Sequence, residues 1–193
     1  MVNWKTPFNK IEIGKGRKLK DGKEAAILSL GHPGNFATKA IEKLEAEGIT
    51  PAHYDLRFAK PLDEAMLHEV FSRYKKIITI EDGTIVGGVG SAILEFMAEN
   101  NYSAQVKRLG IPDRFIEHGE PNELYEECGF SVEQIHNEVL EILKEKKIYQ
   151  IINPRLVQAP PTLTVADAIK LMQEHRAGYI VIADKKKCVG IFT

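Results

Sequence analysis

Residues 80–91, IEDGTIVGGVGS, crowd glycines between the apolar run KKIITI and the helix-forming run SAILEFMAEN. A glycine loop passing from a strand into a helix is where free backbone amides can cradle a phosphate. Gly88 and Gly90 meet the first half of the dinucleotide spacing Gly-x-Gly-x-x-Gly, but Ile93 stands at the third position. A P-loop needs a lysine after its last glycine, and Ser91 and Ala92 follow Gly90 instead. Glu81 and Asp82 bring negative charge to the loop's edge. The spacing therefore favours a packing role for Gly87, Gly88 and Gly90, in which a missing Cβ permits positive φ and close backbone approach.

Other polar groupings could do chemistry. His32, in GHPGN, follows an apolar run, where a general base or substrate contact could sit. With no partner identifiable, it reads as a loop histidine bonded to backbone. Asp55, Arg57, Lys60 and Asp63 mix signs, which suits salt bridges and a helix cap better than a phosphate site. Asp113, Arg114, Glu117 and His118 form a dense cluster in GIPDRFIEHGE. Two carboxylates near a histidine can transfer protons, yet no nucleophile or metal set accompanies them, so a hydrogen-bonded interface is the expected use. The histidines show no HxH or HxxxH spacing, and no metal is expected. Cys128 and Cys188 lie far apart and read as reduced thiols of a cytoplasmic protein.

The elements that must position these groups are regular. AAILSL (25–30) is a continuous apolar run of strand length, of the kind covered on both faces, and AHYDL (52–56), KIITIE (76–81) and AQVKRLGI (104–111) are the next three strands. Between them fall helical stripes: Ala37, Ala40, Ile41 and Leu44, closed by Gly48; then Leu67, Val70, Phe71 and Tyr74, capped by Asp63 and stapled by Leu62. Ile93, Phe96 and Met97 mark a third helix. A last one opens on the capping box Ser131/Gln134, with Phe130 placed to staple Ile135, and continues through Val139 and Ile142. Strands alternating with helices predict a three-layer α/β/α fold around a mostly parallel sheet. The candidate groupings all follow predicted strands, at the carboxyl edge where ligands of such sheets gather. Upstream, RKLKDGKEA predicts a short hairpin turning at Asp21-Gly22.

From about Ile148 the rhythm changes. INPRLVQAPPTLT is proline-marked and extended; Thr164 and Asp167 open a helix striped by Val165, Ala168, Ile169 and Met172; YIVIAD and CVGIFT follow as strands joined by KKK. Two domains are expected, 1–147 and 148–193, the second a β-α-β-β unit too small to bury a stable core alone. A net charge of -1 gives no global pull towards nucleic acid or an anionic membrane. No apolar run approaches the roughly 18 residues of a spanning helix, and MVNWKTPFNK lacks the apolar middle of a secretion signal. The expected location is the cytoplasm.

IEIGKGRKLKDGKEAAILSLG, YDLRFAKPLDEAMLHEVF, KKIITIEDGTIVGGVGSAILEFMAEN and VKRLGIPDRFIEHGEPNELYEECGFSVEQI resemble, in order and nearly without gaps, the C-terminal domain of the 1-deoxy-D-xylulose-5-phosphate synthase family, a domain of transketolase type. The resemblance spans residues 4–146. It implies an intact enzyme that uses thiamine diphosphate and Mg²⁺ to condense pyruvate with glyceraldehyde 3-phosphate, releasing CO₂, at the head of non-mevalonate isoprenoid biosynthesis. In that family the groups that hold cofactor and substrate belong to the two preceding domains. The Gly-Asp-Gly with following Asn-Asn that binds metal and diphosphate does not occur here. The resemblance thus implies a chain that is inactive alone, binds no cofactor itself, and serves as a homodimer or as the partner of the missing synthase domains. His32, Asp55, Arg57, Gly87, Gly88, Gly90, Asp113, Arg114 and His118 are the interface candidates at the strand ends.

The tail, PPTLTVADAIKLMQEHRAGYIVIADKKKCVGIFT, resembles the first part of a cystathionine-β-synthase-type (CBS) motif, a family that binds adenine nucleotides in regulatory modules. The resemblance makes Tyr179, Ile180 and Thr193 the candidate nucleotide residues. The sequence stops at Thr193, before the aspartate and closing helix of that motif. A tail of this kind is not usual in the synthase, which implies a fusion, an engineered hybrid or a fragment.

Overall fold

The computed structural model describes residues 10–144, 157–184 and 187–193. The chain divides into two units, Met1–Lys144 and Glu145–Thr193. The boundary expected at 147/148, the extended stretch before Val157 and part of the KKK link lie outside the described residues.

The first unit contains β1 (Arg17–Lys20), β2 (Ala26–Leu30), β3 (Ala52–Asp55), β4 (Lys76–Thr84) and β5 (Gln105–Ile111), arranged in the order β1-β3-β2-β4-β5. All neighbours run parallel except β1, which is antiparallel to β3 at the edge. The helices are α1 (Gly34–Ala46), α2 (Glu64–Arg73), α3 (Val89–Glu99), α4 (Pro121–Glu127) and α5 (Val132–Leu143). Side chains alternate between the two faces of a strand. Ala26, Leu28, Tyr54 and Ile77 therefore meet Leu67, Phe71, Ile93 and Phe96 of α2 and α3. Ile27, Ile78 and Ile80 meet Ile41 and Leu44 of α1 and Ile135 and Val139 of α5 on the other side. The result is the three-layer α/β/α arrangement.

Local chemistry sets the helix ends. The Asp63 carboxylate accepts the Met66 N–H at 3.2 Å and starts α2. Ser131 and Gln134 form a reciprocal capping box on α5. Gly48, at φ +84, takes the left-handed turn that ends α1. The short α4 was not anticipated, although Pro121 in its first turn and the following Glu123 are its signals.

The predicted hairpin is corrected by the register. β1 pairs with β3, Arg17 opposite Asp55 and Lys18 opposite Tyr54, and does not fold back onto β2. β2 is hydrogen-bonded on both sides, to β3 and to β4, so it has no free edge to offer. β3 has β2 on one side only, so its other side takes β1, and a short basic strand suits a sheet edge.

In the second unit β6 (Gln158–Ala159) runs parallel to β7 (Ile180–Asp184), which pairs antiparallel with β8 (Lys187–Phe192). α6 (Val165–His175), capped by Thr164, packs Ala168 against Ala159 and Ile180. This is the expected β-α-β-β order.

Candidate functional site

β4 delivers Glu81 to the carboxyl edge of the sheet, beneath the start of α3. The side chain is buried; its Oε2 accepts the Val89 N–H at 2.8 Å and its Oε1 accepts the Gly90 N–H at 2.9 Å. These are free amides of the first helical turn, the donors a phosphate would use. The protein's own carboxylate fills that seat. Gly88 makes the approach possible, because a Cβ there would lie 2.1 Å from the Thr84 carbonyl oxygen and 2.4 Å from Glu81 Oε2. Gly90 rests on Thr79, where a Cβ would come within 2.7 Å of Oγ1. Gly87, at φ +75, donates its N–H to Ser91 Oγ at 3.1 Å. From β5, Arg108 Nη1 donates to the Ile85 carbonyl and to Ser91 Oγ, each at 2.7 Å, tying the loop down from the outside. Sequence reasoning missed Arg108, and it read Glu81 as edge charge where the structure makes it a cap.

The next strand end is committed to ion pairs. Asp55 accepts from Arg17 Nε at 2.9 Å and from the Arg57 N–H at 3.1 Å, with Arg57 itself at φ +59. Asp63 accepts the Gly16 N–H at 3.1 Å and faces Lys15 at 3.4 Å, in addition to its capping bond. Between these strands lies a pair that sequence reasoning missed, Ser29 Oγ and His53 Nε2, 2.8 Å apart and both buried. Burial pushes the His53 pKa down to about 4; the Asp55 charge opposes the shift and the Arg17 charge assists it. The imidazole is therefore neutral at pH 7. Polar residues at inward positions of two adjacent apolar strands were the available signal.

At the β5 end, residues 112–120 and α4 wall a cleft of about 740 Å³. Phe115, Ile116, Leu124, Tyr125 and Phe130 line it, and Asp82, Glu117, His118 and Cys128 supply its polar points. Phe115 is 95% exposed. Arg114 Nη1 pairs with Glu127 Oε1 at 2.7 Å, while Asp113 stays exposed. His32 sets its ring 4.9 Å from Phe36 and 5.5 Å from Tyr125. Burial first, and then the Glu127 charge, raises the Cys128 pKa. The structure thus gathers Glu117 and His118 at one cleft, reaches His32 through Tyr125, and leaves Asp55 engaged with Arg17 of the edge strand and with the Arg57 amide. Among the described residues no group of three or more His, Cys, Asp or Glu could hold a metal ion, and no helix is long and apolar enough to cross a membrane.

In the second unit, Thr193 lines a groove of about 400 Å³ with Ile169, Met172, Arg176 and Phe192. Tyr179 is exposed, and Ile180 is buried in the small core. The three residues do not converge on one site.

Residues 14–135 match the family model described as Transketolase, C-terminal domain. The chain belongs to the transketolase C-terminal domain family. Residues 146–193 match the CBS domain model. The transketolase-type part is 62% identical over 135 residues to 1-deoxy-D-xylulose-5-phosphate synthase of Cytophaga hutchinsonii, covering 70% of this chain and 21% of that protein. It is 45% identical over 137 residues to the synthase of Aquifex aeolicus, covering 71% of this chain and 22% of that one. The chain thus spans about a fifth of the length of the curated relatives it matches. Among solved structures, one described as a split gene transketolase, inactive beta4 tetramer, superposes with a TM-score of 0.65 at 33% identity, covering 70% of this chain and 44% of that one. The transketolase of Campylobacter jejuni, at TM-score 0.51 and 20% identity over 69% of this chain and 19% of that one, shares the fold.

Thiamine diphosphate, the cofactor implied for an intact synthase, does not fit the glycine loop of this transketolase C-terminal domain. Its negative diphosphate would meet the Glu81 carboxylate on the amides it needs.

Proposed function

We propose that residues 1–147 form the non-catalytic C-terminal domain of a thiamine-diphosphate-dependent 1-deoxy-D-xylulose-5-phosphate synthase, acting in association and in support of the catalytic domains. The reaction of the assembled enzyme would join pyruvate to glyceraldehyde 3-phosphate with loss of CO₂. What carries this reading is the 62% identity confined to about a fifth of a synthase, together with a glycine loop whose anion seat is already filled by Glu81. A related solved chain is described as an inactive tetramer, which is in keeping with a domain that associates without catalysing. The test is incubation of the pure chain with pyruvate, glyceraldehyde 3-phosphate, thiamine diphosphate and Mg²⁺, alongside light scattering. No product and a dimer or larger assembly are expected; robust turnover or a strict monomer would overturn the reading.

A second reading concerns residues 148–193 and is favoured by the CBS match and by the groove that holds Arg176 and Thr193. A guanidinium beside an apolar groove suits the phosphate and base of an adenine nucleotide. Calorimetry of the full chain with AMP, ATP and S-adenosylmethionine decides it. Heat from one of them supports a regulatory tail, and silence from all three leaves the tail a structural role in a fused or hybrid chain.

A further inference from the structure

We propose that the cleft between residues 112–120 and α4 is a docking groove for a basic, apolar segment of the polypeptide that carries the remaining domains of the synthase. This rests on the association reading above and names the surface and the chemistry of the partner. The floor is apolar, and Phe115 stands almost fully exposed at its mouth, where an aromatic side chain offers a large contact area at small entropic cost. The rim is negative. Asp82 and Glu117 line the cleft, and Glu120, Glu123 and Glu126 add further negative charge on or beside α4.

Among the described residues none of these five carboxylates has a cation within ion-pair distance; Arg114, the basic group beside the cleft, is already held by Glu127. The Cys128 pKa is raised first by burial and then by the Glu127 charge, with Arg114 opposing and Asp82 adding to the shift. A partner that brings apolar side chains flanked by lysine or arginine satisfies both features at once. A second copy of this chain does not supply it from its basic edge. Lys15, Arg17, Lys18 and Lys20 there are paired with Asp63, Asp55, Glu69 and Glu45 of their own unit.

The test uses the full chain and overlapping short peptides that span the Cytophaga hutchinsonii synthase ahead of its matched segment. Peptides that bind are expected to be net positive and to contain aromatic or branched apolar residues. Their binding should slow alkylation of Cys128 while leaving the exposed Cys188 unaffected. Phe115→Ser and Glu117→Lys should each weaken binding by about tenfold or more, and added salt should weaken it further. Both positions are exposed, so circular dichroism should show an unchanged fold. The proposal is overturned if no peptide binds, if acidic peptides bind as well as basic ones, or if binding ignores both substitutions. None of those results touches the non-catalytic reading, which stands on the turnover assay and the assembly of the full chain.

Discussion

Glu81 Oε1 accepts the backbone N–H of Gly90 at 2.9 Å, so a charge from the end of β4 closes the first turn of α3. Replacing Glu81 with alanine leaves two buried amides without an acceptor, and a stability loss of about 2–3 kcal/mol follows from the worth of hydrogen bonds to charged groups. Urea denaturation measures it. Millimolar sulfate should restore part of the loss in Glu81→Ala and do nothing for the wild type, because only the variant has the seat open.

Gly88→Ala places a methyl group against the Thr84 carbonyl oxygen and the Glu81 carboxylate at once. The expected cost is about 2–4 kcal/mol, the range for forcing atoms into a packed site. Gly178→Ala is the comparison: nothing lies within 4 Å of the new carbon, and the change should stay within about 0.5 kcal/mol. Thermal melts of the two variants side by side separate a packing requirement from a general intolerance of alanine.

Stability should fall as the solution is acidified from pH 6.5 towards pH 4, because His53 takes a proton near 6.5 when unfolded but only at about 4 when buried. Above this window the folded chain has the full benefit of the neutral ring. Within it the unfolded state binds the extra proton, and the cumulative loss approaches about 3 kcal/mol. His53→Gln should flatten that part of the profile. Urea midpoints at pH 7 and pH 4.5, measured on both proteins, decide the point.

The two thiols should separate in a timed alkylation. Cys128 is half-buried, and its thiolate is disfavoured by burial and by the Glu127 charge; Cys188 is exposed. Iodoacetamide at pH 8 is expected to modify Cys188 first, followed by peptide mass spectrometry. Faster loss of Cys128 would contradict the assigned surroundings.

Much of the fold was legible because its signals are local. The strand-length segments of β2 to β5 and the caps at Asp63 and Ser131 each act over a few residues, and they formed where the sequence placed them. The partner of β1 was not legible, since the choice between β2 and β3 depends on which edge the finished sheet leaves free. The site divided in the same way. Glycine spacing argued against a phosphate loop, but the Glu81 cap, the Arg108 tie and the Ser29–His53 pair join residues on different elements, and no spacing rule reports such meetings. The Arg57 and Asp55 grouping was visible, while its partner Arg17 lay on the misassigned hairpin.

The pairing of β1 with β3 also gives the sheet a sequence in time. During synthesis Arg17–Lys20 emerges first among the strands, yet its neighbour, Ala52–Asp55, follows only after β2 and α1. The first strand of this sheet to be synthesised must therefore wait, and its long sequence separation from β3 makes its closure entropically late. On partial unfolding the same strand can peel away without breaking the β3-β2-β4-β5 ladder, so its amide protons should be the quickest in the sheet to exchange with solvent.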